Sequence, residues 1–250
     1  MRHTKINDTT YAVYDGSVTS YLLIGERAMM IDSGMTFRNI RTYAEKLAGK
    51  PVEEVINTHG HFDHTAGNRF FKKVYMSPAF AEKKKTRWET EAVSDGSIIN
   101  LGGKTLQIIS VPAHSSDSIA ILDIDERTLF TGDEVVENQI LLIPLMPGDK
   151  KIAVQTHKEN MEKLLNMSEY FDIVCPAHAA TPLPKTIIEN YIQADKNIME
   201  GAEGKKWIYS KTFYFAPPKK TYRRYEYKNT GIIYSSDCIF VPREKELMSS

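Results

Sequence analysis

Asn57 to Asn68 read NTHGHFDHTAGN, which puts His59, His61, Asp63 and His64 within six positions, directly after the apolar run of VEEVINT. No other feature constrains the chain as much. Four such side chains together suit neither a packed core, where each would need a polar partner, nor a plain turn, which requires none of them. Imidazole and carboxylate are the usual ligands of zinc, iron and manganese. His59 and His61, two apart in extended backbone, project to one side; Asp63 and His64, after the chain has begun to turn, can serve a neighbouring point. That division suggests two cations close together, the arrangement of in-line hydrolysis by a shared hydroxide.

Two cations need more ligands, and three later segments offer them. SVPAHSSDS carries His114, TLFTGDE carries Asp133 and IVCPAHAAT carries His178, each after an apolar run. Ligands at the ends of separate strands can converge along one edge of a sheet sandwich, held by rigid elements. Five of the seven histidines are then accounted for by one hypothesis. His3 is near the terminus, and His157, inside a predicted helix, reads as solvated surface. Asp117 and Asp123 read as loop or strand-edge acids, and Cys175, in an apolar strand, as inert core.

The remaining pattern is one of short strands punctuated by helices. TYAVYDG, SYLLIGE and AMMIDSG read as strands of a meander. Phe37, Ile40, Tyr43, Ala44 and Leu47 recur at helical spacing before Gly49, a helix stop. After the strand VEEVINT and the histidine cluster come a short helix-like piece, the strand KVYMS and a charged helix from Pro78 to about Glu91. SIINL, KTLQIISVP, SIAILDID and TLFTG resume the strands. A helix from about Gly148 to Met167, the strand FDIVCPAH and a helix from about Pro184 to Glu203 complete the order. The expected class is α/β (α+β): two halves, each a mainly antiparallel or mixed sheet with helices outside, stacked as a four-layer αββα sandwich. Residues 1–204 are expected to form the metal-binding domain, with 205–250 a basic, aromatic C-terminal extension packed on it.

That extension holds Lys205, Lys206, Lys211, Lys219, Lys220, Arg223, Arg224 and Lys228, interleaved with tyrosines. The cations could collect an anionic substrate; alternatively, the alternation of TYRRYEYK fits a strand with aromatic residues inward and charges in water. KNTGIIY could turn a hairpin. The apolar run after Asp133, with Ile140, Leu141, Leu142, Leu145 and Met146, could wall a substrate pocket or join the partner of a homodimer. Lys+Arg and Asp+Glu are equal at 32 each, so no overall field recruits nucleic acid or an acidic membrane. Two cysteines, no apolar leader and no run near the roughly 18 residues of a membrane helix make a cytoplasmic protein the expectation.

The run His59-Gly-His61-Phe-Asp63-His64, with MMIDSG upstream and the later His114, TGD and PAH segments in order, closely resembles the metallo-β-lactamase superfamily over roughly residues 10–190. The resemblance implies an αββα sandwich with a binuclear site in the cleft between sheet edges. His59, His61 and His114 would hold a first metal, Asp63, His64 and His178 a second, and Asp133 would bridge them. Asp32, in the segment similar to the family's D-T-G, would orient a ligand without touching metal. Zinc is the first expectation for both ions, with iron or manganese as alternatives. The implied reaction is attack by a metal-bridging hydroxide on a small ester, thioester, lactone or phosphodiester, the metals lowering the pKa of water from about 15.7 to about 7. Asp63 would also hydrogen-bond the attacking water and relay a proton. The complete ligand set with TGD is similar to the glyoxalase II, lactonase and phosphodiesterase side of the family, although the tail reads as strand and turn where glyoxalase II has helix. An iron-dependent oxidoreductase of the same fold, similar to persulfide dioxygenases, is the alternative.

Overall fold

The computed structural model describes residues 1–16, 18–36, 38–82, 88–145, 149–207 and 221–241. They fall into two units: residues 1–111, 117–136 and 167–185 form the first, and residues 112–116, 137–166 and 186 onward the second.

The first unit contains two sheets. One has the order β1 (Arg2–Asn7), β2 (Thr10–Asp15), β3 (Val18–Ile24), β4 (Ala28–Ile31), β5 (Glu54–Ile56), β6 (Lys73–Met76) and β7 (Glu89–Ala92). Its first four strands are an antiparallel meander, and β4 to β7 run parallel. The other sheet begins with β8 (Ile98–Asn100), β9 (Thr105–Ser110), β10 (Ile119–Asp123) and β11 (Thr128–Gly132). The chain leaves for the second unit, where β12 (Ile140–Leu141) lies, and returns as β13 (Ile173–Pro176), parallel to β11, and β14 (Leu183–Pro184).

Period-two alternation explains how the first sheet serves two cores. Ala12, Tyr21, Leu23, Met29, Ile31, Ile56 and Tyr75 pack against Leu106, Ile108, Ile119, Ile121, Phe130 and Cys175 of the other sheet. Their neighbours Val13, Leu22, Met30, Val55 and Val74 point the opposite way and pack against Ile40 and Ala44 of α1 (Ile40–Ala48) and against Phe80. The α1 helix is bounded as its sequence dictates: the Asn39 side chain accepts from Thr42 N, and Gly49 takes the left-handed φ of 65° at the C-terminus. Phe37, counted in the expected helix, lies outside the described residues. A four-residue helix, α2 (Phe62–Thr65), carries the second half of the histidine cluster.

The charged helix expected from Pro78 to Glu91 is corrected. Among the described residues there, α3 (Pro78–Ala81) is helical and Glu89–Ala92 is the edge strand β7, whose acidic residues face water while its backbone pairs with β6. Residues 83–87 lie outside the described set. The polar β1 is an addition, an exposed edge that reads as no strand because neither face is apolar.

The second unit pairs α4 (Val154–Asn166) with α5 (Thr186–Met199) and adds a four-stranded sheet, ordered β12, β17 (Thr230–Ser235), β16 (Tyr222–Tyr227) and β15 (Lys205–Lys206). The expected hairpin is present, turning at Lys228, which has a left-handed φ of 49°. Lys211, Lys219, Lys220 and Met146 lie outside the described residues. Ile140 and Leu142 are buried within the chain, and Leu141 and Ile143 pack against Tyr222 and Ile233, so these four are core of their own unit. His157 is also corrected: it is fully buried on α4, its Nδ1 2.8 Å from Asp195 Oδ2 of α5, with the ring edge-on to Tyr191. Asp117 lies in a turn and Asp123 at the end of β10, as expected of loop and strand-edge acids; both are buried, and Asp123 is ion-paired with the buried Lys104. No helix among the described residues is long and apolar enough to cross a membrane.

Candidate metal centre

Strand direction gathers the ligands. Because β4 and β5 are parallel, Asp32 and the His59–His64 loop leave the same edge of their sheet; because β11 and β13 are parallel, Asp133 and His178 leave the same edge of theirs. The histidine loop is bolted across to the other sheet by Ile119 N, which donates to Thr58 O at 2.8 Å.

Seven of the eight residues picked out by the sequence lie within the first unit and close on one another there. His64 Nε2 lies 3.6 Å from Asp63 Oδ2 and 3.4 Å from Asp133 Oδ1, and His178 Nε2 lies 3.4 Å from each of the same two oxygens. These separations are long for hydrogen bonds. They match the edges of a coordination tetrahedron, since ligands at about 2.1 Å from one zinc ion lie about 3.4 Å apart. Asp63, His64 and His178 form one candidate ligand set and His59, His64 and Asp133 another, with all ligand atoms of a set within 4.8 Å of each other. His64 Nε2 is buried and makes no hydrogen bond, as fits a lone pair kept for a cation. Asp32, outside these sets, holds the opposite nitrogen, His64 Nδ1, at 2.8 Å. This agrees with an orienting role.

His59 Nε2 and His61 Nδ1 approach to 2.9 Å with their rings perpendicular, so the two histidines present different nitrogens to one point. His114 belongs to the second unit, where it is buried with Nδ1 3.0 Å from Leu141 O.

The charges are mutually dependent. Burial pushes the Asp133 carboxyl up, but His178 and His64 outweigh it and hold the group well below the usual carboxylate range. Asp133 pushes His178 up to about 10 against the effect of burial. Burial likewise opposes charge on His64, yet Asp32 and Asp133 hold it well above the ordinary imidazole value. Asp63 is lowered despite its burial by the neighbouring imidazoles of His178 and His64. A set of carboxylates that retains protons on neighbouring imidazoles is a set that will exchange those protons for a metal cation. The residues fit the group that their chemistry implies. Asp63 and His178 keep 33% and 27% of their side-chain surface exposed while His64 keeps none, so solvent reaches the first two.

Apart from Asp32, sequence reasoning missed the residues that fix the loop. Asp32, at a left-handed φ of 58°, accepts from Thr58 N and from Thr58 Oγ1, both at 2.8 Å. The carbonyl of His64 receives Ser33 N at 2.8 Å, Ser33 Oγ at 3.0 Å and Asn57 Nδ2 at 3.1 Å, with Asn68 bonded to both side chains. Two glycines are forced by closeness. A Cβ on Gly132 would sit 2.6 Å from Thr58 Oγ1, and one on Gly60 would sit 2.6 Å from the Phe80 ring and 2.8 Å from Asp117 Oδ2. Cys175 is buried core, with burial pushing its thiol up to about 12.

A family model described as the metallo-β-lactamase superfamily matches residues 13–200. Among curated proteins, a probable metallo-hydrolase of Methanocaldococcus jannaschii is 29% identical over 187 residues, covering 66% of this chain and 89% of that protein. A human acyl-coenzyme A thioesterase is 27% identical over 160 residues, covering 46% of this chain and 57% of the relative. An atrochrysone carboxyl ACP thioesterase of Aspergillus fumigatus is 28% identical over 127 residues, covering 48% and 40%. Among solved structures, a metallo-β-lactamase from Pontibacter korlensis superposes with a TM-score of 0.63 at 18% identity, covering 77% of this chain and 97% of that one. The rubredoxin oxygen:oxidoreductase of Desulfovibrio gigas does so at 0.60 and 16%, covering 77% and 61%. At such identities the structural likeness establishes the fold alone.

Proposed function

The chain belongs to the metallo-β-lactamase superfamily, and from that premise we propose that it is a metal-dependent thioesterase with two cations in its centre. The observation that carries the reading is the set of four separations of 3.4 to 3.6 Å that join the Asp63 and Asp133 oxygens to the His64 and His178 nitrogens. Thioester is preferred among the ester classes because two relatives are named as thioesterases, although this chain spans only 57% and 40% of their lengths.

In this reading His59, His61 and His114 would hold one ion, Asp63, His64 and His178 the other, and Asp133 would serve both. Zinc suits the nitrogen-rich donor set. When bound, the ions would supply a nucleophilic water near neutral pH and polarise the carbonyl of the substrate. The chain itself does the rest. Asp63, partly exposed and charged, accepts a proton from the attacking water and returns it to the departing thiolate. Asp32 keeps His64 in the tautomer whose Nε2 faces the centre. Cys175 and Cys238 are both free thiols, in keeping with a reducing cytoplasm.

The test is a panel of an acyl-coenzyme A, a lactone, a β-lactam and a bis-aryl phosphodiester, assayed on zinc-loaded protein with and without oxygen. Thioester turnover indifferent to oxygen, with about two metals per chain, is expected. One iron per chain and oxygen consumption would overturn the proposal and select the oxidoreductase alternative.

A further inference from the structure

We propose that Thr58 is a positioning residue whose hydroxyl ties the two halves of the metal centre to a single carboxylate. This rests on the reading that the cluster binds metal. Four atoms carry the argument. Thr58 Oγ1 lies 2.8 Å from Asp32 Oδ2, His64 Nδ1 lies 2.8 Å from the same oxygen, and His59 Nδ1 lies 3.2 Å from Thr58 Oγ1. Asp32, Thr58, His59 and His64 are all buried.

The direction of each bond follows from the donors available. A hydroxyl has one hydrogen and two lone pairs, whereas a carboxylate only accepts. The Thr58 hydrogen therefore goes to Asp32 Oδ2, and the hydroxyl faces His59 with a lone pair. His59 must then carry its proton on Nδ1, which frees Nε2, the atom that approaches His61 Nδ1 at 2.9 Å. His64 donates from Nδ1 to Asp32 in the same way and frees its own Nε2 toward Asp63 and Asp133. One carboxylate thus sets the tautomers of two histidines, one directly and one through threonine. In the proposed assignment those histidines would serve different ions, so an injury to Thr58 would be felt at both.

Two features make the hydroxyl separable from the fold. The backbone of Thr58 keeps its own bonds, N to Asp32 Oδ1 and O to Ile119 N, in any substitution. Gly132, at φ 54°, leaves room for a β-branched side chain there, so valine replaces threonine at nearly equal volume.

Wild type, Thr58→Val and Thr58→Ser are titrated with zinc against a chromophoric chelator, and the ring ¹⁵N shifts of the histidines are read by NMR in the zinc-loaded protein. Thr58→Val is expected to lose about 10- to 100-fold in zinc affinity at both sites with unchanged far-UV circular dichroism, and Thr58→Ser to restore it. In wild type, His59 and His64 are both expected to carry the proton on Nδ1. Unchanged affinity at either site in Thr58→Val, or a His59 proton on Nε2, overturns the inference; the second reading stands even if the valine variant does not fold. A wild type that binds no zinc fails the metal-centre reading instead, which separates the two.

Discussion

His157→Ala probes the pair that joins α4 to α5. Both His157 and Asp195 have no exposed surface, and the imidazole contacts both carboxylate oxygens, at 3.0 and 2.8 Å. Removing the ring leaves Asp195 buried without its charge partner, a loss of about 3–5 kcal/mol for a broken buried pair. The edge-on contact with Tyr191, at 5.3 Å, is lost with it. At roughly 2–4 °C per kcal/mol for a chain of this size, melting should fall by about 10 °C. The effect has a pH signature. Burial raises the Asp195 carboxyl, and the charge of His157 opposes that rise. A raised native pKa means that stability is full below the ordinary carboxylate range and declines as pH rises through the raised value. Without His157 the rise is larger, so the deficit of the variant should be small in acid and grow toward neutrality. Chemical denaturation across that range, with Asp195→Asn in parallel, reads it. A deficit below about 1 kcal/mol, or one independent of pH, would refute the reasoning.

Zinc uptake by protein stripped of metal should strengthen as pH rises toward the His178 value of about 10, because His178 and His64 must each give up a proton that Asp133 helps them keep. Calorimetry in buffers of different ionisation enthalpy should report about two protons released at that site, and none would contradict the assigned charges. Gly132→Ala should cost at least about 1–2 kcal/mol from its positive φ alone, and more from the Thr58 collision, with zinc affinity falling alongside. A fully stable, fully metallated variant would mean that the β11 turn is not confined by Thr58.

The candidate ligands were legible because they stand after apolar strands, so composition and position point the same way. His59 to His64 follow β5, Asp133 follows β11 and His178 follows β13. Sheet order was less accessible: β1 has no apolar face, and β7 is acidic enough to read as helix surface. His157 could have been found. Val154, His157, Met161 and Leu164 recur along the buried stripe of α4, and a polar residue on such a stripe implies a buried partner. Thr58, Ser33, Asn57 and Asn68 could not, because they are ordinary loop residues by type and their importance lies wholly in where their hydrogens point.

The pairing of Ile140 with Ile232 joins one of the earlier strands of the second unit to the last strand described, and it bears on how the protein is made. During synthesis the first unit's sheets have all their strands once β14 has left the ribosome, whereas Ile140 and Leu141 must wait for β17. Until then an apolar segment stands without its cover. In order of synthesis, the β16–β17 hairpin is what completes the cover of Ile140 and Leu141, as a latch closes on a door already hung.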